Sequence, residues 1–145
     1  MDNEDKVLPH VFEISMGIDR SLYTILEHSL YDDKKNERIV LSLKPYLAPI
    51  HIGVLSLIKK DGLKEKTDEI YLQIKRKYDV FLDHSGAIGR RYRRLDEIGA
   101  PFAITVDHQT LEDKTVTLRK RDSMEQNRIK ISEIDSVLSE FTAYP

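Results

Sequence analysis

The chain has 145 residues, 40% hydrophobic and 33% charged, with a formal net charge of -2 and no cysteine. That length suits one domain, or one domain plus a piece of another, and the balance is that of an ordinary globular protein with a highly charged surface. Disulfides and thiolate metal sites are excluded, and no apolar run approaches the roughly 20 residues that span a bilayer. The N-terminus, Met1-Asp-Asn-Glu-Asp, is acidic where a secretory signal would be basic, so a cytoplasmic protein is expected.

The first element is an alternating stretch, with a strand expected over Val7–Ser15. It breaks at Gly17 and opens a helix whose Ile18, Leu22, Ile25, Leu26 and Leu30 recur at helical spacing. The polar run 32–38 reads as a solvated loop or linker. Residues 39–43 have strand character, and Pro45 and Pro49 then punctuate the chain near a domain boundary at Lys44–Pro49. From there strand and helix alternate. The nearly all-apolar run 50–58 suits a strand covered on both faces, and Asp61-Gly62 reads as a turn. A helix is expected over about 63–78, with Thr67, Ile70, Tyr71, Ile74 and Tyr78 on one face. Val80–Leu82 reads as a second strand, and a helix over about 88–98 buries Ile88, Tyr92 and Leu95 before the stop at Gly99. Phe102–Val106 is the third strand.

The rhythm then changes. Residues 115–121 alternate with period two, Val116 and Leu118 on one face and Thr115, Thr117, Arg119 and Arg121 on the other. Residues 128–131 alternate likewise, which predicts an antiparallel hairpin. Ser132 with Asp135 resembles a capping box for a last helix with a stripe of Ile134, Val137, Leu138 and Phe141. The predicted fold is α/β: a mixed five-stranded sheet flanked by three helices, preceded by a strand–helix unit.

Several charged groups suit recognition chemistry. Glu13 and Ser15 fall on one strand face and Arg20 on the first helical turn. A carboxylate, a hydroxyl and a guanidinium converging there suit a small zwitterion beside a polyphosphate. Basic residues cluster at 90–94, and from Lys114 to Lys130 six Lys or Arg face only Asp122 and Glu125. A local basic surface can attract phosphate on a neutral chain. Arg90, Arg93, Arg94 and Glu97 share a helix face, which is a solvated face or a phosphate contact. Arg119, Arg121, Asp122, Ser123 and Gln126 lie on or beyond the hairpin strand, either as edge protection or as donors to unpaired bases. The histidines at 10, 28, 51, 84 and 108 show no ligand spacing, so no metal site is assigned. Ser85 with His84 or His108 lacks the glycine-flanked elbow of a hydrolase nucleophile.

The run Glu13-Ile-Ser-Met-Gly-Ile-Asp-Arg20 resembles motif 3 of class II aminoacyl-tRNA synthetases, with Ile14 where many members carry proline. Leu47-Ala-Pro-Ile-His51, the stretch 89–107 and Thr115-Val-Thr-Leu-Arg-Lys-Arg-Asp-Ser123 extend the likeness to the glycyl-tRNA synthetases over nearly the whole chain. The resemblance implies that residues 1–44 end a catalytic core and 45–145 form a class IIa anticodon-binding domain. It further implies that Glu13 and Ser15 line a glycine pocket and that Arg20 is the catalytic contact to ATP. In the parent enzyme ATP and Mg2+ serve glycine activation and transfer to tRNA(Gly); the parent is expected to be a homodimer. For this chain alone a monomer, no cofactor and no aminoacylation are expected, since motifs 1 and 2 are not in it. Alternatives are an anticodon domain of prolyl, threonyl or histidyl type, or a non-catalytic accessory protein reusing the fold.

Overall fold

A computed structural model describes residues 9–58 and 62–143. Helix α1 spans Ile18–Ser29 and leads into an antiparallel hairpin of β1 (Leu30–Asp33) and β2 (Arg38–Leu41). The run 32–38 expected to be a loop holds the turn at 34–37, and only its ends, Asp32, Asp33 and Arg38, belong to the hairpin arms. The turn between them is held by the Asp33 carboxylate, which accepts from the N–H and side-chain amide of Asn36, while Glu37 adopts a positive φ of 51°. After a 3-10 turn at Pro45–Leu47 come β3 (Ile52–Ser56), α2 (Leu63–Ile74), β4 (Val80–Asp83), α3 (Ile88–Glu97) and β5 (Phe102–Val106). They are followed by α4 (His108–Asp113), β6 (Thr115–Lys120), β7 (Gln126–Lys130), a 3-10 turn at Ile131–Glu133 and α5 (Ile134–Thr142).

The expected five-stranded sheet is present, in the order β4-β3-β5-β6-β7. β3 pairs parallel with β4 and β5, and β5-β6-β7 run antiparallel. The apolar runs of β3 and β5 are buried at every residue, as strands covered on both faces must be. One face packs under α2 and α5, where Val54, Ile104 and Leu118 form a cross-strand row against Ile70, Ile134 and Leu138. The other face lies under α3, with Leu55, Leu95, Ala100 and Ala103 at its centre.

Several expectations need correction. Residues 9–17 form no strand and are exposed: no described strand lies beside them to accept their backbone hydrogen bonds. Val7 and Leu8 lie outside the described residues, as does Asp61 of the expected turn. The apolar stripe of α1 is uncovered, with Ile18, Leu22, Ile25, Leu26 and Leu30 between 40% and 84% exposed. Helix α2 stops at Ile74, short of Tyr78. A fourth helix, α4, joins the three expected around the sheet. Its N-cap is Asp107, whose carboxylate accepts the Thr110 N–H at 3.1 Å while the Thr110 hydroxyl accepts the Asp107 N–H. At α5 the expected Ser132/Asp135 cap does not form. Asp135 instead binds Lys77 and Tyr78, and a 3-10 turn whose Glu133 accepts the Lys130 N–H precedes the helix.

Gly53 lets α3 approach β3. A Cβ there would stand 2.2 Å from Leu95 Cδ1, well inside van der Waals contact. Gly53→Ala is therefore expected to lower unfolding stability by about 1–3 kcal/mol, read as an earlier midpoint in urea; an unchanged midpoint would contradict the packing described.

Candidate nucleic-acid interface

From β3 to β7 the strand registers make the α3-side face of the sheet progressively polar. One cross-strand row runs Asp83, Leu55, Thr105, Thr117, Arg128 from β4 to β7, and the next runs Phe81, Gly53, Ala103, Arg119, Gln126. Helix α3 covers the apolar half. Beyond it, Leu57, Ile88, Tyr92, Thr105, Asp107, Thr117 and Gln126 line an open cleft of about 280 Å3. Tyr92 shares a hydrogen bond between its hydroxyl and Thr105 Oγ1 and presents its ring at the cleft wall. Flat apolar groups and hydroxyl, amide and carboxylate groups thus meet in one concave place. That combination suits an unpaired base, which needs a stacking surface and edge partners together.

Behind the cleft lies a polar network. Asp107 accepts a two-point contact from Arg128, whose guanidinium also donates to Thr115 Oγ1 at 2.7 Å and Thr117 Oγ1 at 3.0 Å. Asp96, fully buried on α3, accepts Arg119 through both terminal nitrogens at 2.8 and 3.0 Å and Arg38 at 3.0 Å. The Arg119 guanidinium sits 4.9 Å from the centre of the Tyr92 ring.

The expected contact residues separate into different roles. Arg119 and Arg121 are buried, which corrects their assignment as base contacts. Arg121 donates to the carbonyls of Leu41, Leu43 and Gly99 at 2.8–3.1 Å and to the Asp122 carboxylate. Leu43 and Gly99 lie outside the strands, so their carbonyls have no ladder partners, and a guanidinium with five donors satisfies them. Asp122 is exposed but paired with Arg121 and, at 3.3 Å, with the Ser42 hydroxyl. Ser123 is exposed on the turn and bonds Glu125. Gln126 does line the cleft.

On α3, Arg94 folds back onto Asp83 and the Ser85 carbonyl, and Arg93 lies 3.8 Å from Glu37. Arg90 is exposed and makes no ion pair among the described residues, but helical spacing places it half a turn from Ile88 and Tyr92, away from the cleft. Arg91, not singled out from the sequence, is buried and caps the carbonyls of Ser56, Asp83 and Leu57. In the expected arginine cluster Arg91 is thus an internal strut and Arg94 a half-buried one, while Arg90 and Arg93 stay exposed. Tyr92, expected only as core, and Thr105, Thr117 and Asp107 are cleft residues that sequence reasoning missed, as it missed Arg128 behind them. The period-two pattern already put Thr117 and Arg119 on one face; pairing them with Arg128 and Gln126 required the turn length.

Glu13 and Ser15 lie on the irregular exposed segment and Arg20 on the first turn of α1. None of the three side chains has a hydrogen bond or ion pair among the described residues. One exposed guanidinium does not enclose a nucleotide, and no described group of three or more His, Asp or Glu could hold a metal ion. The residues present do not by themselves fit ATP with Mg2+. His84 pairs with Ser56 Oγ at 3.1 Å and with Asp68 at 3.0 Å rather than with Ser85. Ser56 is wholly buried on β3, so the contact satisfies a core hydroxyl. No helix among the described residues is long and apolar enough to cross a membrane.

The Arg128 fork holds the Asp107 carboxyl below its ordinary value; partial burial opposes this and the Thr110 N–H and hydroxyl reinforce it. A carboxyl whose value is depressed on folding contributes stability that is present above its unfolded value, about 3.9, and lost as pH falls through the folded value. Asp107→Asn should therefore flatten the loss of stability below about pH 4, followed by urea unfolding across pH. An acid limb as steep as that of the unaltered chain would show that this pair is not linked to folding.

Comparison with known proteins agrees with this geometry. A family model described as "Anticodon binding domain" matches residues 46–141. The glycine–tRNA ligase of Archaeoglobus fulgidus is 50% identical over 139 residues, 93% of this chain and 24% of that protein. The ligases of Rhodopirellula baltica and Methanocaldococcus jannaschii are 48% and 51% identical over 91% and 94% of this chain, and 26% and 23% of their own lengths. The chain thus spans about a quarter of the curated relatives it matches. Among solved structures, the RNA binding domain of threonyl-tRNA synthetase from Cryptosporidium parvum superposes with a TM-score of 0.65 at 23% identity, covering 72% of this chain and 26% of that one. Prolyl-tRNA synthetase from the same organism gives 0.63 at 26% identity, over 70% and 23%. With a sheet of this order, two helical layers and a family model matching 46–141, the chain belongs to the anticodon binding domain family.

Proposed function

We propose that the chain reads the anticodon of a glycine tRNA as part of a glycine–tRNA ligase, and that the cleft beside α3 receives one splayed anticodon base. The observation that carries this reading is the gradient across the sheet face, which ends in an open cleft walled by Tyr92 and edged by Thr105, Thr117 and Gln126. Glycine anticodons end in two cytosines, each with an amino donor and two acceptors. The Gln126 amide can donate and accept, the threonine hydroxyls can do either, and the Asp107 carboxylate can accept from an amino group. Stacking on Tyr92 supplies affinity without choosing the base; the edge groups choose it. Lys130, exposed on β7 and on the same strand face as Gln126, supplies a less selective attraction to phosphate.

Within that reading, residues 1–44 end the catalytic core of the parent. Glu13 and Ser15 meet the glycine there and Arg20 the ATP phosphates, and the parent joins glycine to tRNA in the cytoplasm with ATP and Mg2+. The support is the motif at 13–20 together with identity to glycine–tRNA ligases that extends across it. The chain alone, a quarter of its relatives' length, is proposed to bind tRNA as a monomer without aminoacylating it. Prolyl- and threonyl-type domains share the fold, but the sequence likeness at about half identity is to the glycine enzymes.

Filter binding at fixed salt tests the reading. A glycine tRNA should bind more tightly than the same tRNA with its second and third anticodon bases altered. Tyr92→Ala should weaken the cognate complex by about 1–3 kcal/mol. Equal binding to both tRNAs rejects anticodon reading.

A further inference from the structure

The cleft's stacking wall is not held by the sheet alone. Tyr92 is gripped at both ends, its hydroxyl by Thr105 and its ring face by the Arg119 guanidinium. Arg119 is in turn fixed by a two-point contact to Asp96, whose carboxylate also receives Arg38. Arg38 belongs to β2, and its Nε donates to Asp33 of β1 at 2.8 Å while its Nη1 donates to the Arg121 carbonyl at 2.8 Å. A continuous series of contacts therefore runs from the hairpin that follows α1 to the wall of the cleft: Asp33, Arg38, Asp96, Arg119, Tyr92. Its four charges cancel, and Arg38, Asp96 and Arg119 are each 6% exposed or less.

We propose that Asp96, Arg119 and Arg38 are positioning residues for base recognition, orienting Tyr92 and tying the cleft to the β1–β2 hairpin. The inference rests on the anticodon reading above. Three physical features support it. A bidentate guanidinium–carboxylate pair is directional, so it fixes the plane that Arg119 presents to the tyrosine ring. Burial removes the water that would otherwise screen and loosen the pair. The third feature is that Arg38 reaches Asp96 from an element that contributes nothing to the cleft lining, so any influence it has on recognition passes through the carboxylate.

Substituting Asp96 would strand two buried cations and endanger folding. Lysine replacements avoid this because they keep a positive charge opposite Asp96 while removing the planar fork. Arg119→Lys and Arg38→Lys are measured for thermal unfolding and for binding to a glycine tRNA and to its anticodon-altered counterpart. The expected result for Arg119→Lys is a loss of discrimination of about tenfold, with binding to the altered tRNA and its salt dependence unchanged. Arg38→Lys should shift discrimination in the same direction by a smaller factor. A purely structural role would lower the melting temperature and weaken both tRNAs alike. Folded variants that keep the discrimination of the unaltered chain overturn the inference. Should Arg119→Lys not fold, Arg38→Lys decides alone: reduced discrimination supports the proposal and unchanged discrimination overturns it. Failure of the unaltered chain to discriminate overturns the anticodon reading instead, so the two failures are distinguishable.

Discussion

A single carboxylate, Asp96, sits where three parts of this molecule meet. It rises from α3, receives Arg119 from the sheet and Arg38 from the hairpin, and is buried from water. Burying an isolated charge, or two guanidinium groups side by side without a carboxylate, carries a large desolvation cost. Each member therefore needs the others. The arrangement costs desolvation that an apolar core would not, but it yields orientation, which apolar packing alone supplies poorly.

That requirement explains why so many arginines are internal. Arg38, Arg91, Arg119 and Arg121 are all buried, and three of them donate to backbone carbonyls left open where strands end or segments cross. In a sheet of only five strands flanked by short helices, many such carbonyls fall near loop crossings. A guanidinium meets several at once with one side chain. Several arginines of the basic clusters are thus fasteners. The surface suited to RNA is instead a mixed cleft of hydroxyl, amide, carboxylate and aromatic groups, where selectivity for a base edge can arise.

The N-terminal part obeys a different constraint. Helix α1 carries a regular apolar stripe left 40–84% exposed, and residues 9–17 ahead of it are exposed without a described strand neighbour. The hairpin that follows is by contrast fastened to α3 and to Arg121 through Arg38 and the carbonyls of 41–43. The transition from uncovered to anchored chain falls across a few residues. The hairpin is thus packed with the sheet domain although it precedes the segment matched by the family model.

Periodicity and punctuation alone determined most of the sheet domain. The mostly apolar β3 and β5, the stripe of α2, the Gly99 stop and the alternation of β6 were all legible because each depends on spacing along one segment. The motif patterns likewise pointed to the family before any coordinates. Tertiary structure decided what spacing cannot encode. An arginine on the polar face of a strand looks the same in sequence whether that face meets water or a helix. The placement of α3 over half of the sheet buried Arg119 and left Thr117 and Gln126 at an open edge. Over its described residues, 9–15, the expected strand fails for the same reason in reverse: alternation licenses a strand, but only a neighbouring backbone completes its hydrogen bonds.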